Sequence, residues 1–291
     1  MQLRSLLIFL LLHVPLPAVA QLQQAELQQA EPEKQVHWAM AAWFGTGWYQ
    51  VDDNRTTYIF RIPPRQTVRT SGWHEDGKRK LGVEILYPVA LGLHTLDDLP
   101  DFLEFDNYGT ITFTPGVQVE IPVTDRWYLR PFGHLGVGYE KESDEWASIW
   151  YGGLKSRYLL GERERFNWSL LSAVYFGGYK PEYKNRGQYA SVMGGFEFDN
   201  KLGELTWGGE QMWLNWHLTY DYFFDNINFH ASEENVVSIK DQWELGLALG
   251  TGDKRMKFWF MGFEHVGLSF KMSSNGEYQA ISFNLRSPFT L

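Results

Sequence analysis

The 291-residue sequence contains no cysteine. This absence excludes disulfide bonds, iron–sulfur clusters, thiol catalysis and cysteine-ligated zinc. It also excludes a lipoprotein anchor, which requires a cysteine directly after an export signal. A chain of this kind must obtain its stability from packing and hydrogen bonding.

After Ala20 the sequence also lacks an apolar stretch long enough to span a bilayer as a helix. A helical membrane protein is therefore excluded. Lysine and arginine are scattered along the chain, and the net charge is −9. Nucleic acid is not an expected partner, because phosphate binding requires clustered basic side chains.

Recognisable catalytic and metal-binding motifs are missing as well. The chain has no Gly-x-Ser-x-Gly nucleophile elbow and no His-x-x-x-His pair. The acidic stretch 97–106 lacks the glycine and the spacing of a calcium loop, and His74-Glu75-Asp76 has the composition of a solvated turn. We therefore expect neither a metal nor a cofactor.

Residues Met1–Ala20 have the three parts of a secretory signal. Arg4 supplies a positive charge, Leu6–Val14 is an apolar run, and Ala18-Val19-Ala20 is a small-residue cleavage pattern. These features predict a signal peptide over residues 1–20 and a mature chain that begins near Gln21.

The remaining sequence divides by composition into two parts. Residues 21–35 are rich in Gln, Glu and Ala and contain no aromatic residue, which predicts a polar periplasmic segment. Residues 36–291 are rich in aromatic residues, which make up 16% of the whole chain, yet the mean hydropathy is −0.33. This combination is typical of strands whose residues face lipid and a polar lumen in alternation.

The alternation is clearest in Leu81–Leu93 and Gln211–Phe224. In the second range most apolar side chains are at even positions, whereas Asn215, His217 and Asp221 are at odd positions. A period of two indicates β-strands with one apolar and one polar face. Soluble sandwiches also alternate, but the strands here run to roughly 12–16 residues, against about 5–6 in ordinary sheets.

We predict an all-β fold, a transmembrane antiparallel up-and-down β-barrel of twelve strands, with ten to fourteen possible. An even number of strands lets both chain ends face the periplasm. The first strand could instead be a helix, since Trp38, Ala41, Ala42 and Gly45 also fit helical spacing. The predicted strands are 36–50, 57–69, 80–94, 108–121, 126–140, 145–160, 166–179, 188–199, 204–224, 237–250, 256–271 and 278–291.

The last predicted strand places Ile281, Phe283, Leu285, Phe289 and Leu291 on one face. This pattern resembles that of proteobacterial outer-membrane β-barrel proteins, whose final strand has spaced hydrophobic residues and ends in an aromatic. Here the terminal residue is a leucine, and the aromatic lies two positions earlier. The resemblance implies a place in the Gram-negative outer membrane, contact with its lipid and lipopolysaccharide, and recognition of the last strand by the barrel-assembly machinery. It reaches no specific functional family.

The alternation also predicts which polar side chains face the lumen. A barrel of twelve strands has room for water or a plug, and we expect an ion-pair and hydrogen-bond network there. The predicted lumen-lining residues are Glu84, Glu120, Arg130, His134, Lys155, Arg157, Glu197, His217, Asp221, Lys240, Glu244 and Arg286, with His94, Glu140 and Asn215 in addition.

Three functions are compatible with these patterns. A passive, porin-like pore for small polar solutes is our prediction, because it requires least of the sequence. An outer-membrane hydrolase acting on lipid, lipopolysaccharide or peptide is the alternative, with His134, His217, Asp221 and Glu197 as catalytic candidates. His217 and Asp221 lie about 13 Å apart by strand rise, so a partner would have to come from another strand. A structural or surface-interaction barrel is the third possibility.

Overall fold

The computed structural model describes residues 39, 45–51, 55–93, 109–141, 143–183, 185–230, 236–251, 256–258, 261–263 and 265–284. The twelve barrel strands are β1 (Gly47–Val51), β2 (Arg55–Ile62 and Arg65–Arg69), β3 (Gly82–Leu86 and Val89–Leu93), β4 (Thr110–Phe113 and Gly116–Thr124), β5 (Trp127–Glu140), β6 (Glu145–Arg163), β7 (Phe166–Pro181), β8 (Gly187–Trp207), β9 (Glu210–His230), β10 (Val236–Gly250), β11 (His265–Met272) and β12 (Tyr278–Asn284). Two short strand pairs form separate small sheets, Gly72–Trp73 with Arg79–Lys80 and Met256–Phe258 with Met261–Phe263.

Each barrel strand pairs with the next one along the chain, and the first pairs with the last. The closing contact is antiparallel and runs from Gly47 opposite Ser282 to Val51 opposite Tyr278. Closure gives the backbone groups of both outer strands a partner, which is what a sheet needs where water is absent. The predicted all-β, twelve-stranded antiparallel barrel is confirmed. Its architecture is the one that the resemblance to outer-membrane β-barrel proteins implied.

The two faces of the barrel follow the alternation of the sequence. In β10 the side chains of Leu245, Leu247 and Leu249 are exposed on the outer face, whereas Gly246 and Ala248 between them are buried. Successive side chains of a strand point to opposite faces, so an apolar exterior and a mixed interior arise from the same segments. No helix in the described part of the chain is long and apolar enough to cross a membrane.

Proline and glycine determine where strands break and turn. Pro63 and Pro64 separate the two segments of β2, as their lack of a backbone N–H requires. The predicted turn at 200–203 is wrong, because β8 continues to Trp207 and the tight turn is at Gly208-Gly209. Both of these glycines have positive φ, 61° and 84°, which a two-residue hairpin favours. The earlier segment instead holds a register shift between Lys201 and Thr206.

The first and eleventh strands begin later than predicted. The strand β1 is Gly47–Val51, and the described residues 45 and 46 before it are not in a strand. The predicted strand 36–50 therefore starts too early. The eleventh strand begins at His265 rather than at 256, because a short separate strand pair comes first. The predicted signal peptide, the polar segment 21–35 and the final residues 285–291 lie outside the described residues.

Candidate functional site: the barrel interior

Several ionisable side chains on the inner faces of the strands are almost completely buried. Lys155 and His217 are each 1% exposed, and Glu197 is 2% exposed. Burial of a charge is costly unless it is paired or hydrogen-bonded, so the partners of these groups define the interior.

One interior network centres on Arg157 of β6, and we call it the Arg157 cluster. Its guanidinium Nη2 lies 2.7 Å from Glu197 Oε1 and 3.0 Å from Asp199 Oδ2. Asn215 Nδ2 donates to Asp199 Oδ1 at 2.8 Å. The ladder between β8 and β9 sets this contact, because Asp199 and Asn215 are directly opposite each other. Two carboxylates thus share one cation and one amide.

A second network, the Glu244 cluster, joins β9, β10 and β11. Glu244 Oε1 lies 3.4 Å from His217 Nε2, and its Oε2 lies 3.2 Å from Lys271 Nζ. The imidazole lies over Gly246, where a Cβ atom would come within 2.1 Å of the ring. The glycine thus leaves the space that the histidine ring fills.

A third network lies nearer the tight turns, on β2 to β5. Arg65 Nη1 lies 3.5 Å from Glu84 Oε2, and the same carboxylate accepts hydrogen bonds from Thr67 and Gln118. Beside it, Arg130 and Ser71 both bind Glu120. Each carboxylate here has a guanidinium partner.

The fourth group, the Arg61 cluster, consists of Arg61, Thr112, Thr114, His134 and Tyr151. The His134 ring stacks on Tyr151 with the ring centroids 4.3 Å apart, and His134 Nδ1 lies 2.7 Å from the Thr114 carbonyl oxygen. The Tyr151 hydroxyl contacts Thr114 Oγ1 at 3.0 Å and accepts from Arg61 Nη2 at 3.3 Å. Thr112 is on the same inner face of β4, two residues before Thr114. The described ion pairs include none for Arg61.

Most of the predicted lumen residues have their described polar contacts inside the barrel. The networks above contain Glu84, Glu120, Arg130, His134, Arg157, Glu197, Asn215, His217 and Glu244. Asp221 accepts from Gln242 at 3.2 Å, and Lys155 Nζ lies 5.7 and 5.9 Å from the ring centroids of Phe132 and Tyr175. His94 and Arg286 lie outside the described residues.

Two predicted lumen residues are placed differently. Lys240 is exposed, and its Nζ lies 5.6 Å from the centroid of the Tyr222 ring. The register of β9 and β10 shifts between Tyr222 and Ile227, which turns Ile239 inward in its place. The assignment of Lys240 to the lumen is therefore corrected. Glu140 is at the end of β5 and accepts from Ser143 in the following turn.

The sequence interpretation missed Arg61, Arg65, Asp199 and Lys271. For Arg61 and Arg65 the sequence held a signal of the inward face, because both are at odd positions, like buried Ile59 in the same predicted strand. Position parity identifies the face of a residue, but it gives no information on its partner in another strand.

Among the described residues, the candidate catalytic side chains bind separate partners and share no nucleophile. Glu197 is directly opposite His217 in the ladder, but its carboxylate binds Arg157 while the imidazole binds Glu244. Neither His134 nor His217 has a Ser or Thr hydroxyl partner among the described hydrogen bonds. The described residues contain no group of three His, Asp or Glu side chains that could hold a metal ion.

A described residue that precedes β1 in the chain also lies in the interior. Ala39 is 1% exposed and packs in a cluster with inward-facing Phe132, Tyr151, Tyr179 and Tyr189. The lumen is therefore narrowed at this level by the protein's own chain.

Comparisons with known proteins give a similarity of fold only. No protein-family model and no curated protein matches the chain. The crystal structure of the beta domain of the Bordetella autotransporter BrkA is similar, with a TM-score of 0.46 and 12% identity, over 81% of this chain and 92% of that domain. The function has to be inferred from the side chains of the barrel itself.

Proposed function

We propose that the protein is an integral β-barrel of the Gram-negative outer membrane and forms a narrow passive pore for small polar solutes. The observation that carries the proposal is the contrast between the two faces of one closed sheet. Exposed leucines cover the outside of β10, whereas Glu244 on the inside of the same strand is paired with Lys271 and His217. Lipid solvates the first face, and water with small polar solutes is compatible with the second.

The interior also supports a narrow pore. Lys155 and His217 are almost fully buried, and Ala39 packs against inward-facing aromatic rings. A wide water-filled lumen would leave such side chains accessible. We therefore expect a conductance well below that of an unobstructed barrel of twelve strands.

The location and partners belong to the same proposal. The outward apolar face would contact outer-membrane lipid and lipopolysaccharide, and the signal-like Met1–Ala20 would direct export. The barrel-assembly machinery would read the final strand, whose last residues Phe289–Leu291 lie outside the described part of the chain. Fractionation of expressing cells tests the location, and recovery of the folded chain in the inner membrane would contradict it.

Planar-bilayer recording tests the pore. Purified full-length protein, refolded in detergent and added to a bilayer in potassium chloride, should give small, stepwise and voltage-independent current increments. The same preparation unfolded by heat serves as the control. If the folded protein gives no steps above this control, it is not a pore.

A further inference from the structure

Arg61 differs from the other guanidinium groups of the interior. Arg65, Arg130 and Arg157 each contact a carboxylate. The Arg61 side chain has one described hydrogen bond, and it goes to the Tyr151 hydroxyl rather than to a carboxylate. Its charge is therefore not compensated by any described side chain.

The surroundings of Arg61 reinforce this lack of compensation. The Arg61 guanidinium is within electrostatic range of Tyr49, His134 and Tyr189, and none of these three is a carboxylate. Positive charge in a low-dielectric interior attracts an anion more strongly than it would at the surface.

The wall beside Arg61 consists of small residues. Across β2, β3, β4 and β5, Arg61 is opposite Ala90, Ala90 is opposite Thr112, and Thr112 is opposite Gly138. The Thr112 hydroxyl is buried and has no hydrogen-bond partner. Buried polar atoms are usually satisfied, so this hydroxyl is available to a ligand atom.

His134 adds a group of defined polarity beside Arg61, since both side chains contact Tyr151. Its Nδ1 faces the Thr114 carbonyl oxygen, so Nδ1 carries the hydrogen of the neutral ring. The other nitrogen, Nε2, is then a hydrogen-bond acceptor, and it is buried without a partner. A ligand that satisfies Nε2 must therefore donate a hydrogen bond.

We propose that Arg61, Thr112 and His134 form a binding site in the lumen for a small oxyanion that also carries a hydroxyl group, of which hydrogen phosphate is the simplest. The anionic oxygens accept from the Arg61 guanidinium, and the P–OH donates to His134 Nε2. The Thr112 hydroxyl can donate to an anionic oxygen or accept from the P–OH group. The site would give the proposed pore a preferred class of solute, and this part of the inference rests on the proposed function.

Sulfate is the discriminating probe, because at neutral pH it has the charge and shape of phosphate but no hydroxyl to donate. Calorimetric titration of the detergent-solubilised full chain should show phosphate binding, with sulfate at least about tenfold weaker. Equal binding of both anions would overturn the role of His134. Absence of phosphate binding would overturn the site.

Variants at Arg61 test the charge. Arg61→Gln should weaken phosphate binding by about tenfold or more, since a charge-assisted hydrogen bond is lost. The phosphate affinity of Arg61→Lys should lie between those of the unmodified protein and Arg61→Gln. Lys240→Gln is the matched control, because it removes the same charge from an exposed position. If Lys240→Gln weakens binding as much as Arg61→Gln, only net charge matters and the site is refuted. Each variant is first checked for the heat-modifiable gel mobility of a folded barrel.

Bilayer recordings separate this site from the proposed pore. Phosphate binding without current steps would refute the pore and support the site. Current steps that are altered neither by phosphate nor by Arg61→Gln would support the pore and refute the site. The expected result is a chloride current that phosphate reduces in the unmodified protein and leaves unchanged in Arg61→Gln.

Discussion

The Glu244 cluster and the Arg61 cluster face the same lumen but differ in how their charge is compensated. In the first, one carboxylate lies between Lys271 and His217. In the second, the Arg61 guanidinium contacts a neutral phenol. Pairing is sufficient to explain why charges are tolerated inside the barrel. A guanidinium without a carboxylate partner requires a different explanation. We therefore propose a bound ligand for the Arg61 cluster alone.

The largest effect should come from removing the central carboxylate of the paired cluster. Glu244→Leu leaves the Lys271 side chain, which is 16% exposed, without its ion-pair partner, and we expect the free energy of unfolding to fall by about 3–5 kcal/mol. Urea unfolding in lipid vesicles, followed by tryptophan fluorescence, measures the change. The double variant Glu244→Leu with Lys271→Met removes both charges and should recover most of the loss. A double variant as unstable as the single one would show that packing, not charge, was lost.

The same substitution at two arginines compares the clusters directly. Arg157→Met leaves Glu197 and Asp199 without their shared cation and should cost about 2–3 kcal/mol in unfolding free energy. Arg61→Met leaves no described carboxylate without its cation, so the loss in unfolding free energy should stay within about 1 kcal/mol. Equal losses in urea titrations of the two variants would remove the contrast between the clusters.

A smaller effect should follow from filling the space under His217. Gly246→Ala places a methyl group against the imidazole and should cost about 1–2 kcal/mol through overpacking. Gly194→Ala on β8 is the control, because a Cβ atom there has no neighbour within 4 Å. The same unfolding assay compares the two. If both glycines tolerate alanine equally, the His217 ring is not held in place by Glu244.

The smallest effect is expected at the barrel rim. The Lys78 ammonium and backbone amide lower the pKa of Asp76, so any stabilisation is present at neutral pH and lost as the pH falls through that lowered value. The carboxylate is exposed, and solvent screens such pairs. Asp76→Asn should therefore leave the urea midpoint unchanged at pH 7. A clear drop in the midpoint would mean that the rim turn supports the barrel.

The sequence was sufficient for the fold, because period-two alternation indicates directly which face of a strand a side chain occupies. It did not predict which strands' residues meet. Lys240 has the correct parity for the lumen, but the register shift after Tyr222 turns Ile239 inward instead. Arg61 has the parity of the inward face, but its contact with Tyr151 spans 90 positions of sequence. Such contacts depend on register and bulges, which short-range patterns do not encode.

The contact between β1 and β12 imposes an order on assembly. Its described residue pairs join Gly47–Val51 to residues near the other end of the chain, over five positions, whereas β5 and β6 share fourteen. The entropy of bringing such distant segments together must be overcome before any of these five pairs forms. Hairpins such as β5–β6 can form locally and early. The cylinder therefore exists only after the final strand has been made, and a chain that stalls earlier presents two unsatisfied strand edges to its neighbours.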